Sequence, residues 1–168
     1  MLEFLQQLKK WMIRTLEVVL IVIVALLVLD VVWGVFTRYV MSEQAKWSEE
    51  LARFLLVWVA LLGSALAFGV KAHLGVDYFV GRLHPESRKL TAIVSHIAVL
   101  FFAATVFVYG GMRVVGDALT MEQMTPALGW KMGYVYLALP ISGVFMLLFT
   151  IEHLIETTKA SPETEEGA

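Results

Sequence analysis

The chain predicts an all-α integral membrane protein of four transmembrane helices plus a short amphipathic interfacial helix, on three observations. Of its 168 residues, 59% are hydrophobic and only 17% charged, where a soluble domain carries about a quarter charged residues. A soluble fold of this size has too little interior to hide so many Val, Leu and Phe side chains. The apolar residues also gather into four runs, each near the ~20 residues that a helix needs to cross a bilayer. Finally, period-2 alternation is missing, and runs such as VVLIVIVALLVL suit helices rather than barrel strands. The net charge of -2 argues against a nucleic-acid partner. The absence of cysteine excludes a disulfide framework, a thiolate zinc site and a cysteine nucleophile.

Taken in order, residues 1–14 place Leu2, Leu5, Leu8 and Trp11 at near-helical spacing beside Lys9 and Lys10. This predicts an amphipathic N-terminal segment leading into the membrane. The first apolar run, 18–36, is interrupted only by Asp30. It is too long for a signal peptide and no small-x-small cleavage site follows, so it reads as an uncleaved anchor. The second run is 54–70, the third 90–112 with His96 inside it, and the fourth 132–151 with Pro140. Allowing for helix ends, the predicted spans are 16–40, 48–70, 87–113 and 130–155, within a membrane domain of residues 15–157. Between the second and third, Val76, Phe79, Val80 and Leu83 fall at i, i+3, i+4 and i+7, one stripe of an interfacial helix over 75–84. Residues 158–168 are acidic and poor in apolar residues, which predicts a disordered tail.

Loop charges set the orientation. With the N-terminus in the cytoplasm, the inside carries Lys9, Lys10, Arg14, Lys71, Arg82, Arg88, Lys89 and Lys159, eight cations. The outside carries Arg38, Lys46, Arg53, Arg113 and Lys131, five. Both termini are expected in the cytoplasm.

Charges are few, so their positions are informative. In WSEELAR, residues 47–53, Ser48 is placed to cap a helix, with Glu49 and Glu50 at its positive end. Arg53 follows Glu49 by four residues and Glu50 by three, the order that favours a helical ion pair, and Trp47 belongs at headgroup level. These residues mark where a helix enters the membrane; they also suit a docking point for a partner chain. Asp30, near the middle of its span, costs ~2.5–3.5 kcal/mol unless it faces protein and is paired. Within the chain its candidates are Arg53, Arg38 or a neutralising proton. Arg38 is two turns further along the same helix, about 12 Å away, which favours Arg53. Contact with another subunit is the next reading and ion conduction the third.

The histidines 73, 84, 96 and 153 all fall toward the cytoplasmic side. A four-helix bundle can hold haem between two facing histidines, so a haem-carrying membrane anchor is one alternative; no other residue specifies a haem pocket. A free-standing small transporter is another, although one carboxylate without neighbouring oxygen ligands is a poor sodium site. Small residues in the second span, among them Ala60, Gly63, Ser64, Ala65, Ala67 and Gly69, allow close helix approach inside the bundle or at a subunit interface. No nucleophile–base pair, phosphate loop or HExxH supports catalysis, and no cofactor is expected.

An ordered set of motifs resembles one family. RYV at 38–40, WSEELAR at 47–53, FLLVWVALLG at 54–63, HLGVD at 73–77, RLHP at 82–85, TPALG at 125–129 and YLALP at 136–140 occur in sequence over residues 16–155. Each is weak alone; together, on four spans of suitable length, the chain is similar to the DctQ-like small membrane subunits of tripartite ATP-independent periplasmic (TRAP) transporters. The resemblance implies a scaffold in the bacterial inner membrane beside a large subunit that carries the substrate and sodium sites. It also implies a periplasmic binding protein that delivers an organic acid, and uptake driven by sodium. It raises Arg38, Trp47, Glu49, Glu50, Arg53, Asp30, His73, Asp77, Pro126 and Gly129 as partner-contact or structural positions, with the lipid bilayer around them.

Overall fold

The computed structural model describes residues 2–41, 45–70 and 85–159. Their regular structure is helical: α1 (Leu2–Val40), α2 (Lys46–Gly69), α3 (Pro85–Phe102), a π-helical segment (Ala103–Gly110), α4 (Gly111–Thr120), α5 (Met132–Tyr136) and α6 (Ala138–Lys159). Four stretches are long and apolar enough to cross a membrane, Gln7–Val40, Lys46–Gly69, Leu90–Thr120 and Met132–Ile155. The predicted interfacial helix at 75–84 lies outside the described residues, as do His73, Asp77 and the tail beyond residue 159.

No Pro or Gly interrupts α1 before Gly34, so the amphipathic N-terminal segment continues directly into the first span. Its 39 residues extend about 58 Å at 1.5 Å per residue, nearly twice the ~30 Å hydrocarbon layer. α1 is therefore longer than a single upright crossing requires.

The third span is not the plain α-helix its pattern predicts. It passes through eight π-helical residues, Ala103–Gly110, before α4. The fourth span breaks between α5 and α6 because Pro140 has no N–H to donate to Tyr136 and its ring crowds that carbonyl.

α1 packs along α2, α2 along α6, and α6 also along α3 and the π segment. The fourth span is thus the central one: 39% of its most apolar window is buried, against 6% for the first and third. The flanking spans leave Val28, Leu29 and Val32 of α1, and Phe101, Val106 and Tyr109 of the third span, exposed. Apolar faces this extensive are what lipid or a membrane partner covers.

Two ends can be distinguished. At the terminal end, where α1 begins and α6 finishes, Met12, Leu16, Leu62, Phe68 and Phe149 form the buried core. At the hairpin end, α1 gives way to α2 and residues 121–131 join the third span to the fourth. There Gly34 lets the first two helices meet: a Cβ at Gly34 would lie 2.9 Å from the Ser48 hydroxyl. That hydroxyl donates to the Asp30 carbonyl oxygen at 3.1 Å.

Candidate partner-contact site

The hairpin end is built around a short closed loop. α4 ends with Met121 N–H donating to Asp117 O at 3.0 Å, and Glu122 adopts φ 49. Met124 and Lys131 then form an isolated antiparallel bridge. Between them Thr125 is buried: its N–H donates to Trp130 O at 2.8 Å and its hydroxyl accepts from Trp130 N–H at 2.9 Å. Gly129, at φ +66, closes the turn by donating to Thr125 O at 3.0 Å. This left-handed position strains side-chain-bearing residues, which explains the glycine of TPALG.

Glu50 links this loop to α2. Its Oε2 accepts from the backbone N–H of Ala127 at 3.0 Å and of Leu128 at 2.7 Å. Two motifs 77 residues apart thus become one structure. Glu49 pairs instead with Arg53 along α2, at side-chain exposures of 53% and 72%. An exposed i,i+4 pair of this kind contributes ~0.3–0.5 kcal/mol. Lys46, Trp47, Glu49, Glu50, Arg53, Pro126 and Ala127 line one open cleft of about 1150 Å³. Its two cations and two anions give a zero net charge in a mixed polar pattern, suited to a protein surface rather than to a small ion. Arg38 stands exposed in the last turn of α1, where a cation suits the negative helix end.

Two expectations are corrected. Ser48 does not cap α2: the helix begins a turn earlier, with Ala45 as N-cap and no side-chain cap bond. Buried three residues into the helix, Ser48 spends its proton on α1 instead. Asp30 does not pair with Arg53, which is committed to Glu49. Both carboxylate oxygens of Asp30 are buried with no hydrogen-bond partner among the described residues. The bond that its carbonyl oxygen accepts from Ser48 sets Asp30 level with the first turn of α2. It lines an apolar groove of about 300 Å³ with Leu26, Leu29, Trp33, Trp47, Leu51 and Leu55.

A polar cluster at the terminal end escaped the sequence reading. Lys9 Nζ lies 3.2 Å from Glu152 Oε2, with side chains only 19% and 14% exposed, and 3.5 Å from His153 Nε2. His96 and His153 come together at 5.9 Å between ring centroids. Thr157 Oγ1 lies 3.5 Å from His96 Nε2. The signal available was the charge on Glu152, just past an apolar run and at the same predicted level as Lys9. Haem ligation by these histidines would need both Nε2 atoms; each is already turned to a polar neighbour, so the pair fits a helix cross-link better than a haem site.

The small residues of α2 divide between two faces. Ala65 and Gly69 are buried in the bundle, while Ala60 and Ser64 are exposed and nothing lies within 4 Å of a Cβ built on Gly63.

Comparison with known proteins fits this architecture. Residues 27–160 match the family described as tripartite ATP-independent periplasmic transporters, DctQ component. The sialic acid TRAP transporter small permease protein SiaQ of Vibrio cholerae is 30% identical over 156 residues, covering 92% of this chain and 88% of that protein. A putative TRAP transporter small permease protein of Haemophilus influenzae is 27% identical over 144 residues, 86% of this chain and 88% of its own length. The isethionate TRAP transporter permease protein DctMQ of Oleidesulfovibrio alaskensis is 29% identical over 113 residues, 67% of this chain but only 18% of that longer polypeptide. With four membrane-spanning stretches and these matches along nearly its whole length, the chain belongs to the DctQ family of TRAP transporter small permease components.

Proposed function

We propose that this chain is the static scaffold subunit of a TRAP transporter in the bacterial inner membrane, with both termini cytoplasmic. It holds the large transporting subunit in the bilayer and offers its hairpin end to a periplasmic binding protein that delivers an organic acid for sodium-driven uptake. The observation that carries this reading is the Glu50 link, which fixes the entry of α2 and the TPALG loop into one mixed-charge surface. The long match within the much larger DctMQ polypeptide supports a large membrane partner for this chain, and the Lys/Arg balance supports the orientation.

Reconstituting this chain with its large subunit and binding protein in liposomes tests the reading. All three together should take up substrate down a sodium gradient, and omitting this chain should abolish uptake. Glu49→Lys with Glu50→Lys should lower uptake, since two cations would then sit at the positive end of α2. Detergent co-purification tells whether assembly or docking has failed. Sodium-driven uptake by this chain and the binding protein alone would overturn the scaffold role.

A further inference from the structure

We infer that the groove around Asp30 is the seat of a transmembrane helix of the large subunit, and that this helix presents a cationic side chain to the Asp30 carboxylate. The inference rests on the proposed partnership and adds the face and the chemistry of contact.

Asp30 is 7% exposed, and both its oxygens lack hydrogen-bond partners among the described residues. A carboxylate buried without a partner is costly, and proteins retain one where a cation or a donor completes it. The cations at that end of the bundle do not. Arg53 is paired with Glu49, and Arg38, Lys46, Arg113 and Lys131 make no bond to either oxygen. No described residue therefore completes the carboxylate, and the inferred partner is a group on another chain.

The surroundings narrow what it is. Leu26, Leu29, Trp33, Leu51 and Leu55 give the groove an apolar lining between the first span and the second, both long and apolar enough to cross a membrane, so the occupant is a membrane segment. A lipid tail brings no donor, and a headgroup ammonium brings its own phosphate close to the carboxylate. A second copy of this chain, docked groove to groove, would set one carboxylate against another. A helix carrying Arg or Lys level with the first turn of α2 meets both demands, apolar contact and charge. Because the oxygens are shielded, such a side chain reaches them by displacing part of the groove lining.

The test uses the chain co-expressed with its large subunit. Benzoylphenylalanine placed at Leu29 or Leu55 should crosslink to the large subunit on illumination. Asp30→Asn, nearly isosteric, should reduce recovery of the large subunit by about thirtyfold or more, since it strands the partner's charge. The same substitution should leave the thermal midpoint of the isolated chain in detergent unchanged or higher, because it removes an uncompensated carboxylate. Lower stability of the isolated Asn variant would assign Asp30 a role within the chain and overturn the inference. So would wild-type assembly of that variant, or crosslinks only to lipid or to a second copy. If the unmodified pair co-purifies while the groove positions crosslink elsewhere, this assignment fails and the scaffold role stands; if the pair never co-purifies, both fail.

Discussion

Replacing Glu50 with alanine should release the TPALG loop from α2 while leaving the spans in place. Oε2 accepts two consecutive backbone N–H groups at 3.0 and 2.7 Å. Hydrogen bonds to a charged group contribute about 1.5–3 kcal/mol each when buried. The cleft is open and the freed N–H groups would find water, so about 2 kcal/mol for both together is a reasonable magnitude. If that free energy gates local opening, the Ala127 and Leu128 amides should exchange with deuterium about thirtyfold faster. Glu50→Gln keeps an oxygen acceptor but loses the charge, so about 1 kcal/mol and roughly fivefold faster exchange are expected. Hydrogen exchange of the chain in lipid nanodiscs, read at these amides and at the central span, provides the measurement. Wild-type protection of Ala127 and Leu128 in the alanine variant would refute the latch. Faster exchange throughout the bundle would show instead that Glu50 supports the whole fold.

Three further outcomes follow from the packing. Gly69→Ala should destabilise the bundle by about 1–3 kcal/mol through overpacking, because its Cβ would lie 2.8 Å from the Phe149 ring. Gly63→Ala, with open space around it, should be neutral or slightly stabilising; thermal unfolding in detergent compares the two. Lys9→Met and Glu152→Leu should each lower the thermal midpoint, while the double variant should lose less than the sum, with a coupling of about 1–3 kcal/mol; additive losses would show that the 3.2 Å pair is energetically inert. Cysteines at Glu43 and Gln123 should react with a membrane-impermeant thiol reagent in intact cells and one at Ser161 should not; the opposite pattern would invert the bundle.

What could be read in the sequence was what depends on composition or on neighbours along one helix. The four spans follow from hydrocarbon content, and the Glu49–Arg53 pair from i,i+4 geometry. The Glu50 latch could not be read, because it joins a side chain to backbone N–H groups 77 and 78 residues away. Ser48 looked like a cap because the helix start was set by the serine itself; in the structure Ala45, in an extended conformation, starts α2 earlier. The π segment gave no pattern of its own, since its residues are as apolar as the helices around it. That Asp30 lacks a partner could not be read either, because Arg53 is held by its own helix neighbour Glu49 and whether a carboxylate meets a cation depends on how separate helices pack.

The cross-element contacts share one property that bears on the role of the chain. α2 is tied at its start to α1 through Ser48 and to the loop through Glu50, and at its far end Gly69 lies against Phe149 of α6. α1 is tied in turn to α6 through Lys9 and Glu152. A helix that acts as a moving gate must slide or tilt against its neighbours, and here such motion would break charge-assisted contacts at one end or close ring packing at the other. Packing and hydrogen bonds are what hold helices together in lipid, where the hydrophobic effect between them is lost, so none of these ties is easily replaced as the helices move. Among the described residues, the buried side-chain oxygens without a hydrogen-bond partner are those of Asp30, which borders the groove between α1 and α2. Helices tied to one another in this way, with a carboxylate left unmet beside an apolar groove, support the scaffold role proposed above.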